Sequence, residues 1–513
     1  MHLSLSTKII RNVFSSGIRV FLLIPVPFVM TPLILHKVGS AGYGTWAILV
    51  ALNNLTSLAD LGMVGAVSKY VAEYYAHRDF RSLNRLLTTG LAIFSALAIG
   101  MGLLIWCGSP LIVQHLFRGS PLRMPELVAL VRTFVLVIGA NVLTMLLSSV
   151  TSGLQRLDIS NWISTINVLG AALVGGTLLL RGWGLRGLVI GQVCSAILTL
   201  ALYIVAVKRL VPQTVLDTRN IDLAEAKKML NFSLRLYITQ AAVAVHNQLE
   251  KFLLAWFAGV AAAGWYDIAS DLVLKLRGMI GLVLGPVLPA ASELDARSDQ
   301  QRLADLYFRA QKYLAFFGFP LVFYVSVVSS KFVELWVGPK LAFIAMPLAV
   351  LIWVNLYNLL TGPGFLIFAG RGILKPGTRS ALVGLGMNVF LSVPLIYRFG
   401  FPGAVVGTSV SLVVASTLFL YLFHSYTEYS FRRLLRGAYM KPFATAAAFA
   451  LPLWLVLRAS SPSWSLLIVL GTVFVALYLI SLFLNSFLDE YEWGKIEGLI
   501  PAVRHFRRVI PIA

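Results

Sequence analysis

Within a 513-residue chain that is otherwise strongly apolar, His246, Asn247, Gln248, Glu250 and Lys251 cluster in Leu236 to Val260, a stretch long enough to cross a bilayer. Ionisable groups at that depth each cost at least a few kcal/mol, so a helix that keeps several must meet a partner charge, a water-filled cavity or a cargo. The next apolar stretch carries Asp267, Asp271, Lys275 and Arg277. Asp267, Asp271 and Lys275 recur at i, i+4 and i+8 and share one helical face, while His246 and Glu250 form an i, i+4 pair. A hairpin turning near Val260 sets Lys251 level with Asp267 and Asp271, and His246 level with Lys275. Two chemistries fit such a seam. It joins two helices through buried ion pairs, or it lines a cavity where Lys251 and Arg277 meet phosphate and Asp267, Asp271, Glu250 or His246 take a coupling cation.

The elements that must position these residues follow from composition. Hydrophobic residues make up 58% of the chain and charged residues 12%, too little polar surface to coat a soluble globule. Apolar blocks of about 20 residues recur along the whole length, which predicts an all-α polytopic membrane protein of about 14 transmembrane helices. The spans group as a six-span bundle over 1–207, an amphipathic linker over 208–231, a second six-span bundle over 232–424, two additional spans over 425–488 and a tail over 489–513. Pro25, Pro27 and Pro32 interrupt the first span, Val13 to Leu35. Such breaks are tolerated only where neighbours or water satisfy the freed backbone groups. In the linker, Asp222 and Glu225 mark a helix start.

The net charge of +21 does not point to nucleic acid. With a cytoplasmic amino terminus, most Lys and Arg fall in the inner loops and tails, the positive-inside pattern of an even number of spans with both termini cytoplasmic. Lys208, Arg209, Lys227, Lys228, Arg432, Arg433, Arg436 and, in the tail, Arg504, Arg507 and Arg508 then lie against membrane lipid headgroups. Lys8 and Arg11 before an apolar run resemble a signal peptide, but without a small-residue cleavage site the run reads as a retained first helix. Cys107 and Cys194, both at or in spans, imply neither disulfides nor a metal site and read as inert packing residues. No cofactor is expected. The chain has no Gly-x-x-x-x-Gly-Lys-Ser/Thr loop, so energy does not come from a P-loop, and exchange of H+ or Na+ through Asp267, Asp271 or Glu250 is the expected alternative. A membrane potential or the cargo gradient would also serve.

Glycines report a duplication. Gly184, Gly187 and Gly191 are matched in register by Gly400, Gly403 and Gly407, Gly39 is matched by Gly259, and Gly153 by Gly370, at a steady offset of about 220 residues. Parallel repeats of even span number imply two bundles with a cargo path between them.

Gly39-Ser40-Ala41-Gly42-Tyr43-Gly44-Thr45-Trp46, Asp60-Leu61-Gly62, Lys69-Tyr70-Val71-Ala72-Glu73 and Phe332-Val333-Glu334-Leu335-Trp336-Val337-Gly338 resemble the signature phrases of Wzx-type O-antigen and polysaccharide flippases. These belong to the multidrug/oligosaccharidyl-lipid/polysaccharide exporter superfamily. The resemblance implies a flippase, not an enzyme, that moves an undecaprenyl-diphosphate-linked glycan across the bacterial cytoplasmic (inner) membrane, with a polysaccharide polymerase and chain-length proteins as further partners. For that cargo the expected contacts are Arg19, Lys251, Lys275 and Arg277, all within spans. Arg132 and Arg235, nearer span ends, read as snorkelling to the interface. Of Asn53, Asn54, Asn141, Asn161, Asn167, Asn355, Asn358 and Asn388, most are expected to bond across helices rather than to sugar. A multidrug or lipid II-like exporter is the alternative cargo class. A glycosyltransferase, polymerase or ligase fits less well, because the longest outer loop, Gly108 to Glu126, is short and holds one histidine, His115.

Overall fold

The computed structural model describes residues 19, 22–58, 60, 62–215, 217–461, 463–485, 487–490 and 492–494; the expected start of the first span and the basic tail cluster at Arg504, Arg507 and Arg508 lie outside them. All regular elements among the described residues are helical. They are α1 (Pro25–Asn54), α2 (Met63–Ala76), α3 (Phe80–Leu116), α4 (Met124–Gly153), α5 (Leu157–Leu180), α6 (Gly184–Leu210), α7 (Leu223–Phe257), α8 (Val260–Gly281), α9 (Val287–Ala296), α10 (Gln300–Val337), α11 (Ala345–Leu359), α12 (Gly362–Gly370), α13 (Lys375–Phe399), α14 (Phe401–Thr427), α15 (Phe431–Leu434), α16 (Met440–Ala459) and α17 (Trp464–Leu484).

Among the described residues eleven helices are long and apolar enough to span a membrane, or twelve with the bent pair Pro25–Leu58 and Met63–Ala76 taken as one span. The polar α7 is not among these, and α1 leaves helical geometry at Gly39, between the first and second expected spans. The protein is a multi-span integral membrane protein. One difference from expectation is α7: linker and seventh span form a single helix of 35 residues. Its sequence contains no Gly or Pro to break it, and Asp222 caps it by accepting from the Ala224 amide.

The glycine repeat has a backbone counterpart. Residues with positive φ pair at a slowly shrinking offset: Gly39 with Gly259, Arg78 with Ser298, Gly119 with Gly338, Gln155 with Gly372, and Gly184 with Gly400. Arg78 and Ser298 each precede an aspartate, Asp79 or Asp299, that caps the following helix by accepting from the amide of Ser82 or Arg302. That amide holds the Asp79 carboxyl below the usual carboxylate range. The same turn is thus written twice, once per repeat.

By contacts the chain forms two compact units, residues 1–268 with 385–406 and residues 269–384 with 407–513. The units cut across the sequence repeats, since α7 and the first part of α8 group with the first. In that unit a core of Met63, Leu86, Phe94, Val142 and Met229 ties α2, α3, α4 and α7 together. In the other, Val287, Tyr307, Phe368, Phe419 and Phe423 join α9, α10, α12 and α14. Cys107 and Cys194 are exposed on the outside of their helices rather than packed in the core.

Within the first unit, α1 and α8 cross at Gly44 and Gly264. A Cβ on Gly44 would lie 1.8 Å from the Val260 carbonyl oxygen, and one on Gly264 would lie 2.8 Å from the Gly44 Cα. Gly44 and Gly264 are themselves repeat-equivalent, so the crossing joins like to like. Small residues let backbones approach this closely, and nothing larger fits. Gly44→Ala or Gly264→Ala is therefore expected to destabilise the protein by about 1–3 kcal/mol or more, read as a lower Tm of purified protein. Gly65→Ala, which meets nothing within 4 Å, should leave Tm unchanged or raise it.

Candidate functional site

The α7–α8 hairpin turns at Gly259, φ 88°, one residue before the expected apex. The turn is tied down by the Val260 amide donating to the Arg118 carbonyl at 3.0 Å and by His115 stacking on Trp256 at 4.4 Å between ring centroids. Beneath it, in the first unit, the expected level match holds for one pair. Lys251 Nζ lies 2.6 Å from Asp267 Oδ1, with both side chains largely buried. Tyr43 Oη donates to the other oxygen, Asp267 Oδ2, at 2.9 Å. The charge of Lys251 is thereby met inside the protein, and Asp267 is held from both sides. Glu250, 1% exposed, faces a different helix from its neighbour and accepts from the Asn388 amide of α13. Asn388 and Ser392 beside it are fully buried. His246 is half-buried on the same helix.

In the second unit the remaining seam residues separate. Lys275 pairs with Asp271 one turn away on α8, both partly exposed. Arg277 lies among amides: Nη2 donates to Asn358 Oδ1 at 2.7 Å and Nη1 to Asn355 Oδ1 at 3.4 Å. Both amides are aimed by their own donors, Asn358 giving to Ser416 Oγ and Asn355 to the Leu351 carbonyl. Among the described residues Arg277 has no carboxylate partner, so its positive charge is held in place but not neutralised. Arg19 stands apart, with Nη1 3.4 Å from Asn161 Oδ1. The structure therefore brings together Lys251 with Asp267 and Asp271 with Lys275, and it leaves Arg19 and Arg277 on amides. The side chain of Arg235 lies outside the described residues. No group of three or more His, Cys, Asp or Glu able to hold a metal ion occurs among the described residues.

The family described as "Polysaccharide biosynthesis protein" matches residues 40–346, more than half of the chain. The chain belongs to that family. The membership agrees with the resemblance carried by Gly39–Trp46 and Lys69–Glu73. Relatives of this polysaccharide biosynthesis protein include the probable flippase AglR of Haloferax volcanii, 24% identical over 398 residues, covering 76% of this chain and 78% of that one. A probable low-salt glycan biosynthesis flippase of the same archaeon is 19% identical over 434 residues, covering 82% and 83%. In fold the chain is similar to the lipid II flippase MurJ in an inward closed conformation, with a TM-score of 0.73 at 14% identity over 92% of this chain and 98% of that one. It is also similar to an inward-facing multidrug resistance MATE transporter of the MOP superfamily, with a TM-score of 0.68 at 12% identity over 80% and 98%.

For this family member the sequence reading missed Tyr43 as a partner of Asp267, and Asn355 and Asn358 as the cradle of Arg277. Tyr43 is hidden inside a glycine phrase that reads as structural punctuation. The i, i+3 spacing of Asn355 and Asn358 was the available signal, since it sets two amides on one helical face.

Removing one member of a buried ion pair strands the other's charge and costs about 3–5 kcal/mol. Lys251→Ala is expected to lower Tm accordingly, and the double variant Lys251→Met with Asp267→Leu should recover most of the loss. A single variant as stable as the wild type would show that the pair holds nothing together.

Proposed function

We propose that this protein is a flippase that carries an undecaprenyl-diphosphate-linked oligosaccharide from the cytoplasmic to the outer leaflet of the bacterial cytoplasmic membrane, by alternating access and with both termini cytoplasmic. The family, the flippase names of its relatives and the whole-chain likeness in fold to MurJ support a transporter rather than an enzyme. The observation that carries the cargo chemistry is Arg277. A guanidinium fixed by neutral amides and facing no carboxylate among the described residues suits a diphosphate, because charge-assisted bonds to phosphate oxygens then form without first breaking an ion pair. Lys251 is in a different position: Asp267 already takes its charge, so its part is to hold α7 against α8. Lys275 can contribute only when its pairing with Asp271 opens, and Arg19 adds a second cation on an amide. The alternative cargo, a drug or a lipid II-like precursor, draws on the same fold.

For energy, Glu250 is the carboxylate best suited to exchange H+ or Na+. It is buried and held by the Asn388 amide, where a sodium ion can coordinate its oxygens or a proton can add to one of them.

The test is flipping of a labelled lipid-linked oligosaccharide in liposomes. Arg277→Gln is expected to slow flipping roughly 10–100-fold, the loss of one charge-assisted contact, while Tm stays near that of the wild type. Unchanged flipping in that variant removes Arg277 from the cargo path. Lipid II that outcompetes the oligosaccharide assigns the alternative cargo. Equal rates with and without an imposed pH or sodium gradient remove the coupling reading.

A further inference from the structure

Away from the seam, in the first unit, a groove of about 810 Å³ runs between α3 and α4, lined by Trp106, Pro110, Pro125, Val128, Arg132 and Leu136. It opens outward: Trp106 is 47% exposed, and Leu136 58%. Its walls are apolar apart from Arg132 and Thr133, and the Thr133 hydroxyl is spent on the Ala129 carbonyl. Arg132 is set in place from two sides. Nε donates to Ser109 Oγ at 3.1 Å, and the guanidinium lies over the Trp106 ring, 5.0 Å from its centroid. Pro110 lacks the N–H that would take the Trp106 carbonyl, and Ser109 Oγ fills that vacancy by donating to it at 2.7 Å. Ser109 is therefore fully engaged, and the Nη groups of Arg132 have no carboxylate partner among the described residues. The nearby carboxylate, Glu126, pairs with Arg186 at 3.0 Å.

Depth narrows the ligand. Counted from the helix midpoints at 1.5 Å per residue, the Arg132 backbone lies about 10 Å and Ser109 about 16 Å from the middle. With a roughly 30 Å hydrocarbon layer centred on those midpoints, its edge falls between the two residues at about 15 Å, and the long arginine side chain reaches from there toward the headgroup layer. Arg118 and Arg123 in the adjoining loop add positive charge at the same end. A groove with a cation at headgroup level and an apolar floor running toward the bilayer middle matches one molecule in its surroundings.

We propose that this groove is a phospholipid site, in which Arg132 takes the phosphodiester of an anionic glycerophospholipid and the surface of Val128 and Leu136 takes the first part of one acyl chain. A planar guanidinium, already stacked on Trp106, presents its remaining donors in the fork that a phosphodiester accepts. Trp106 anchors the site at the interface, as indole rings do.

The test uses the full-length protein extracted from phosphatidylglycerol vesicles, with retained lipid counted by native mass spectrometry. Wild type and the surface control Lys340→Gln should retain one phosphatidylglycerol after delipidation. Arg132→Gln should reduce that retention about ten-fold, the loss of one charge-assisted contact. Leu136→Trp, which fills the groove and leaves the cation in place, should do the same, and it keeps the test decisive if Arg132→Gln fails to fold. Equal retention by wild type and a folded Arg132→Gln or Leu136→Trp variant overturns the proposal. So does displacement of the phosphatidylglycerol by an equimolar polyprenyl diphosphate, which would make the occupant the cargo lipid.

Discussion

The contact on which the rest of the molecule depends is the crossing of Gly44 and Gly264. It lets α1 and α8 approach until backbone meets backbone, and in doing so it brings Tyr43 within reach of Asp267. Asp267 then fixes Lys251, and Lys251 fixes α7 against α8. Association of helices in lipid lacks the hydrophobic drive available in water and rests on close packing and interhelical polar bonds. Here one crossing supplies the first, and the residues flanking it supply the second.

Because the crossing joins equivalent positions of a duplicated chain, departures from symmetry around it are informative. The first repeat has an amide pair, Asn141 donating to Asn53 at 2.8 Å. The equivalent of Asn141 is Asn358, whose oxygen instead accepts from Arg277, a residue whose counterpart in the first repeat is Ser57. At this position the duplicated scaffold has been kept, and the second copy carries a charge where the first carries a hydroxyl.

Much of this was legible from the chain. The spans, the hairpin at Gly259 and the pairing of Lys251 with an aspartate at its own depth follow from apolar length and helical spacing, and both are local quantities. The duplication was visible in its glycines, though not in Arg78 and Ser298, whose left-handed backbone no residue type announces. What the sequence could not decide was which of several charges at one level would pair. Lys251 could have met Asp267 or Asp271, and the choice depends on helix rotation of a few tens of degrees, set by distant packing such as the Gly44 crossing. The continuation of the linker into α7 was also hidden, since a change from polar to apolar residues looks like a boundary even where no breaker interrupts the helix.

That continuity has a mechanical consequence. At 35 residues α7 is a rod about 52 Å long. Near its first turns Lys228 Nζ donates to Tyr74 Oη, and Tyr74 Oη donates to Glu225, clamping the rod to α2. Glu250 and Lys251 sit near its far end. Because no Gly or Pro interrupts the helix, the clamp and the buried carboxylate sit toward opposite ends of one continuous element, and a movement of one is passed along it to the other.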